Sequence, residues 1–260
     1  NPANLVVFAE AMPPLSRWLA LFALPSALAI LATYVVLRLT QGAALRRQAV
    51  ATAVETAPLS RTGLIAGLGI LATGGVLIGA SAYGRDLGLP TFAAGLATTL
   101  VVLLLRRGRG AVEVVKDVSW SVLPLVAGLF VLVEALEKTG VMAMIAGILQ
   151  RAAAAAPAET AWGAAALIAV ACNLVNNLPA GLIAGAAVQT AHVPETVAGA
   201  VLIGVDLGPN LSVTGSLATI LWLTAIRREG QDVSVWGFLK LGALVMPPAL
   251  GLALAGLLLV

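Results

Sequence analysis

The stretch Gly204-Val205-Asp206-Leu207-Gly208-Pro209-Asn210-Leu211-Ser212-Val213-Thr214-Gly215-Ser216 interrupts an otherwise apolar run from about residue 196 to 226. At ~1.5 Å rise per residue, about 20 residues cross a bilayer, so a run of ~31 is too long for one perpendicular span. Its centre holds a carboxylate, an amide, three glycines, a proline and three hydroxyls. Backbone that leaves the helix at membrane depth survives only where protein or a water-filled cavity surrounds it. An acid within a span is costly and usually functional. The pattern predicts a helix broken in mid-membrane, the arrangement from which secondary transporters build a solute site.

Composition agrees. Hydrophobic residues make up 60% of the chain and charged residues only 10%, and the mean hydropathy is +1.01. These values predict an all-α polytopic membrane protein. The net charge of +3 is scattered over short loops and forms no basic patch with interleaved aromatics, which excludes nucleic acid as a partner. The single cysteine, Cys172, excludes an internal disulfide and a thiolate-cluster metal site. No nucleophile–base pair, nucleotide loop or metal-ligand cluster is visible, so no enzyme activity, cofactor or metal is expected. No signal peptide is visible. The chain opens on Asn1-Pro2 rather than Met and is expected to be a piece whose N-terminal part is missing.

Apolar runs bounded by charge predict spans at about 18–37, 62–82, 90–105, 118–136, 196–226 (interrupted) and 241–260. The loop 38–61 carries Arg38, Arg46, Arg47 and Arg61, and the loop 106–117 carries Arg106, Arg107, Arg109 and Lys116. The positive-inside rule places both in the cytoplasm. Residues 159–192 form two apolar limbs, 161–172 and 180–190, around Asn173-Leu174-Val175-Asn176-Asn177-Leu178-Pro179. Each limb, about 17–18 Å as a helix, is too short to cross. If the segment is a re-entrant hairpin, Arg227, Arg228 and Lys240 are also cytoplasmic, leaving only Arg17, Arg85, Lys138 and Arg151 outside. A single kinked span would divide the basic residues almost equally, so the rule favours the hairpin. The C-terminus then lies outside. Residues 141–152, apolar but short, are expected as an interfacial arm, and 41–60 as a possible cytoplasmic surface helix.

A short internal echo accompanies this layout. Pro2-Ala3-Asn4-Leu5-Val6-Val7 and Pro209-Asn210-Leu211-Ser212-Val213 both place Asn-Leu-x-Val after a proline. The topology runs the two in opposite directions, as an inverted-topology repeat requires.

The candidate chemistry gathers at two places. Asp206 closes a half-helix in low dielectric, where desolvation and the negative end of the helix dipole raise its proton affinity; it is the candidate for proton coupling. Its bland alternative is a carboxylate that fixes the loop. Asn210, Ser212, Thr214 and Ser216 precede the second half-helix, where exposed N–H groups and hydroxyls favour oxygen ligands, or where the hydroxyls merely cap the helix. Gly208, Pro209 and Gly215 permit the break and close approach. Asn173, Asn176 and Asn177 at the hairpin tip offer donors and acceptors suited to a polyhydroxy solute or a cation, or they satisfy the tip's own carbonyls. Pro179 would begin the return limb in its first turn. Asn4 enters as the counterpart of Asn210 in the echo, and Glu10 as a loose counterpart of Asp206. Cys172 reads as a small apolar residue rather than a ligand. His192 reads as a solvated loop residue, Glu134 as reaching the interface, and Trp120, Trp162 and Trp236 as interfacial anchors.

Residues Gly204 through Trp222 closely resemble the arsenical pump membrane protein family (ArsB), the arsenite/antimonite efflux permeases of the ion transporter superfamily. Asn173-Leu174-Val175-Asn176-Asn177-Leu178-Pro179 and Asn1-Pro2-Ala3-Asn4 resemble that family's motifs as well. The resemblance covers essentially the whole chain, as about the C-terminal 60% of such a permease. It implies two inverted repeats, each with a re-entrant hairpin and a broken helix. Residues 1–12 would be the second half of a broken helix from the first repeat, 13–61 a transmembrane helix and cytoplasmic loop, and 62–260 the second repeat. The implied activity is export of trivalent arsenite or antimonite in exchange for protons across the inner membrane, sometimes with a cytoplasmic ArsA-type ATPase. Arsenite is mostly neutral As(OH)3 near neutral pH, and a site of amides, hydroxyls and one titratable carboxylate suits it. The N-terminal half of the permease should complete the site. The alternatives are a sodium-coupled anion or dicarboxylate transporter of the same superfamily, and a metalloid channel; a membrane scaffold would leave the mid-membrane polar residues without purpose.

Overall fold

A chain this apolar can satisfy its backbone inside a bilayer only as helices or a closed barrel. Its runs are far longer than the ~10-residue strands of a barrel. The computed structural model describes residues 13–47, 58–106, 110–118, 120 and 122–260, and every regular element among them is helical. In chain order these are α1 (Leu15–Arg47), α2 (Arg61–Ala82), α3 (Gly88–Leu105), α4 (Ala111–Asp117), α5 (Val122–Lys138), α6 (Val141–Ala155), α7 (Pro157–Val175), α8 (Asn177–Ala191), α9 (Glu195–Leu207), α10 (Leu217–Arg228) and α11 (Val235–Leu257). Two short 3-10 turns, Gly208–Leu211 and Val213–Gly215, join α9 to α10. Helices α1, α2, α3, α7 and α11 are long and apolar enough to cross a membrane. The protein is an all-α, polytopic membrane protein.

The chain divides into two compact units, the smaller comprising residues 14–17 and 49–125. Within it, α2 and α3 are an antiparallel pair in which Gly69 lies so close to Thr98 that a Cβ would collide with the threonine side chain. Small residues that let helix backbones approach are the usual means of packing in lipid, where burial from water supplies no drive. Ser60 caps α2 by accepting from the Gly63 N–H at 3.0 Å.

The larger unit, residues 1–13, 18–48 and 126–260, is organised around α9. Val197 through Val205 are all buried, as expected of a helix apolar on every face. Gly204 presses on Ala165 and Ile168 of α7, and Gly208 presses on Ala169. Both contacts advance by four residues, so α9 runs parallel to α7. The matching stripe on α7 is Ala161, Ala165, Ala169 and Cys172. Between them α8 returns antiparallel: Ala180 meets Cys172 and Val205 near the tip, while Val188 lies with Ala164 and Ala198 near the base. Helix α11 opposes α9, with Leu257 against Gly199 and Gly242 against the carbonyls of Asn210 and Leu211. The buried face of α1 follows Phe22, Pro25, Ala29 and Ala32, and Gly256 of α11 admits Pro25.

A substitution at the tightest of these contacts is diagnostic. Gly204→Leu would drive its side chain into the Ala165 carbonyl and Ile168. Overpacking of this kind costs about 1–3 kcal/mol. The expected result is a lowered thermal transition of the detergent-solubilised protein, with Gly74→Leu, where nothing lies within 4 Å of a Cβ, as the neutral control.

Several sequence-based boundaries move. The span expected at 18–37 extends to Arg47, so Arg38, Arg46 and Arg47 sit on helix rather than loop. The expected surface helix at 41–60 is, over 41–47, the end of α1, and 48–57 lie outside the described residues. The span at 118–136 becomes Val122–Lys138, and the last begins at Val235, placing Lys240 in its second turn. The 141–152 arm is instead a 15-residue helix with Met142, Ala146 and Ala153 buried, because its apolar stripe covers the hairpin rather than lipid headgroups. The hairpin limbs are longer than expected, 19 and 15 residues, and the turn between them is the single residue Asn176. The first limb therefore has enough length for a crossing.

Candidate functional site

The site forms where the hairpin tip meets the break in the α9–α10 helix. Pro209 has no N–H to donate, and Gly208 and Gly215 have no Cβ, which weakens the helix here and admits the close approaches of the break. Gly215 is required by contact: a Cβ there would lie 2.6 Å from Asn173 Oδ1 and 2.7 Å from Pro209 Cα. Ser216 then restarts the helix, its Oγ accepting from the Ala218 N–H at 3.1 Å.

Asn173 is the hub. Its Nδ2 donates to the carbonyls of Ala169 (2.7 Å) and Gly208 (2.9 Å). Its Oδ1 accepts from Ser212 Oγ at 2.7 Å, and its main-chain carbonyl accepts from Thr214 Oγ1 at 3.1 Å. Ser212 and Thr214 share a hydrogen bond of 3.1 Å. Asn176 Nδ2 donates to the Thr214 carbonyl at 3.1 Å, while its Oδ1 accepts from the Leu178 N–H at 3.3 Å and so caps α8. Asn176 holds φ 75° and ψ 153°, a region nearly reserved for glycine that costs roughly 1–3 kcal/mol. Its two side-chain bonds and the one-residue turn hold it there. Asn177, first residue of α8, is only 8% exposed, and no side-chain hydrogen bond joins it to a described residue. Pro179 falls in the first turn of α8.

The tip amides and the Ser212 and Thr214 hydroxyls are thus one connected network, and Ser216 lies beside it as a cap. Asn210 is exposed in the first 3-10 turn. Asp206 is placed differently. It belongs to the last turn of α9 rather than to the loop. Gly204 and Gly208 face α7, and a residue midway between them points about 200° away, to the opposite side of the helix. There Asp206, half-buried, lines a cavity of about 250 Å³ with Trp18, Phe22, Ser26, Leu202 and Ala253. The helix rotation turns the carboxylate away from the face that meets α7. Ser26, Trp18 and Phe22 were not legible as site residues, because their runs carry no polar interruption. Gly242, which admits the carbonyls of Asn210 and Leu211, had no signal beyond being a glycine in an apolar run. Asn4 and Glu10 lie outside the described residues.

Other singled-out residues find ordinary roles. Cys172 is fully buried among Ala180 and Val205. Cys172→Ala is therefore expected to leave transport within about two-fold of wild type, since removing one small buried group costs at most ~1–2 kcal/mol of stability; vesicle uptake is the check. His192 ends α8 at φ 49° and is exposed, its Nδ1 3.0 Å from the Thr190 carbonyl. Glu134 pairs with Lys138 at 3.1 Å on the exposed face of α5. Trp120 Nε1 donates to the Val115 carbonyl at 2.6 Å, and Trp120, Trp162 and Trp236 are 54%, 40% and 71% exposed. In the last turn of α10, the Arg227 guanidinium holds the exposed Asp232 carboxyl below its ordinary value through a 2.7 Å hydrogen bond.

Comparison with known proteins fits this geometry. Residues 20–260 match the family model described as arsenical pump membrane protein. The chain belongs to this family. Arsenical pump membrane proteins of Yersinia enterocolitica and Escherichia coli are 26% and 28% identical to it over 181 residues, 66% of this chain and 42% of theirs. An uncharacterized transporter of Mycobacterium bovis is 30% identical over 164 residues, 58% of this chain and 37% of its own. The chain thus spans about two-fifths of the length of the curated relatives it matches. No solved structure matches significantly. Family and helices together make it a multi-pass protein of the bacterial inner membrane.

Proposed function

We propose that this chain is part of the translocation unit of a secondary transporter that exports trivalent arsenite or antimonite in exchange for protons. One observation carries the reading: a hairpin tip is hydrogen-bonded onto a helix break through Asn173 and Asn176, and the atoms so gathered are amides and hydroxyls. No lysine or arginine takes part in this network. A neutral trihydroxide such as As(OH)3 needs donors and acceptors rather than a fixed cation, which favours it over a carboxylate or phosphate anion.

In this reading α7 and α8 are a re-entrant hairpin entered from the external side, and the break 208–216 lies near mid-depth. Asn173, Asn176, Asn177, Asn210, Ser212, Thr214 and Ser216 supply the solute's hydrogen bonds once the tip parts from the break. Asp206 accepts and returns the proton from the other face of α9. An inverted first repeat, to which Asn4 belongs, completes the site, and a cytoplasmic ArsA-type ATPase is a candidate partner.

The topology is open to cysteine labelling at Ala158 and Glu195 in a Cys172→Ala background. Both are expected to react from the external side. Labelling from opposite faces would overturn the hairpin. The activity is tested by expressing the full-length protein in a host that lacks its own metalloid exporter. Restored growth on arsenite or antimonite is expected; unchanged sensitivity with confirmed insertion would refute the proposal.

A further inference from the structure

The apolar groove between α6 and the α7–α8 hairpin has a built-in polarity. It measures about 760 Å³ and is lined by residues such as Ile148, Gly163, Leu167, Ile168, Ala184 and Val188. Its only lining side chains with polar groups are Glu159 and Thr160, both at one end, in the first turn of α7. From Thr160 to Ala171, the deepest lining residue of α7, the helix rises about 16 Å. That is the depth of one leaflet of an ~30 Å hydrocarbon core. Trp162, 40% exposed, marks the interfacial level just below Glu159. The Glu159 carboxylate makes no ion pair with a described residue.

We propose that this groove seats one acyl chain of an external-leaflet phospholipid whose headgroup carries a primary ammonium. The chain lies along Gly163, Leu167 and Ile168, and the ammonium meets Glu159 at the mouth. A carboxylate there disfavours an anionic headgroup and supplies charge complementarity to a protonated amine. The lipid fills the space between α6 and the return limb α8 and so supports the hairpin.

The test uses the full-length protein in nanodiscs of phosphatidylethanolamine and phosphatidylglycerol with matched acyl chains. A benzophenone side chain at Leu167, which is 74% exposed, is photolysed and the adducts are identified by mass spectrometry. Phosphatidylethanolamine adducts should exceed their bulk share several-fold, and Glu159→Gln should return them to the bulk ratio. Native mass spectrometry should show one tightly retained phosphatidylethanolamine that Ala164→Trp displaces. Adducts to another segment of the protein, to a second copy, or to both lipids at the bulk ratio in the wild type would overturn the proposal. So would retention of the lipid by a folded Ala164→Trp variant.

Discussion

Asp206→Asn is expected to leave the protein inserted and folded while abolishing proton-driven metalloid transport. Asparagine matches the shape of the protonated acid, so the cavity bounded by Trp18, Phe22 and Ser26 should tolerate it. What it removes is the change of charge. A proton can drive a cycle only if the two protonation states differ in their preference for conformations or solute. Without that difference the pH gradient has no purchase on the site. A loss of at least about 100-fold in gradient-driven flux corresponds to roughly 2.8 kcal/mol of coupling, ordinary for linked sites. Asp206→Glu should retain partial transport with a displaced pH profile, read as initial rates from pH 5.5 to 8.5. Wild-type rate and pH dependence in Asp206→Asn would reduce the carboxylate to a structural role.

Asn173→Asp is expected to be nearly as damaging, for a different reason. The amide nitrogen faces two carbonyls, Ala169 at 2.7 Å and Gly208 at 2.9 Å. A carboxylate oxygen in its place accepts and cannot donate, so both contacts become repulsive. Each lost hydrogen bond that strands a partner costs about 1–3 kcal/mol. The tip should detach from the break, with transport falling on the order of 100-fold as each 1.4 kcal/mol is tenfold. Asn173→Gln, which keeps the donors but misplaces them, should fall between. Disulfide trapping between Asn176→Cys and Thr214→Cys reads the detachment itself: the Asn176 side chain reaches the Thr214 carbonyl in the native network, and cross-linking should be efficient alone and lost with Asn173→Asp. Efficient cross-linking that survives Asn173→Asp would show that the tip stays docked without the Asn173 amide.

The break at 208–216 was legible because polar residues and a proline in an apolar run have no inexpensive placement in lipid. The charge distribution favoured two limbs that return to one side over a single kinked span, and in the structure the second limb does run antiparallel to the first. The limb lengths were not legible. Asn173 reads as a helix breaker, yet its amide returns to the Ala169 carbonyl four residues back and the helix continues to Val175. Helix α6 escaped because 15 residues fall short of a span and its burial depends on a partner brought by the fold. The separation of Asp206 from the amides was hidden as well. Chain proximity suggested one site, whereas 100° of rotation per residue turns Asp206 toward α1 and α11. Gly208 was read as permitting the break and close approach; Gly204, four residues before it, carried no such reading, and the pair approaches Ala165 and Ala169.

The most direct test of proton-coupled metalloid export is radiolabelled arsenite or antimonite uptake into everted membrane vesicles carrying the full-length protein, with an imposed inside-acid pH gradient and no ATP. Uptake should rise above the no-gradient level, collapse on adding a protonophore, and be unaffected by exchanging sodium for potassium. Uptake that ignores the pH gradient, or that follows sodium instead, would contradict the account.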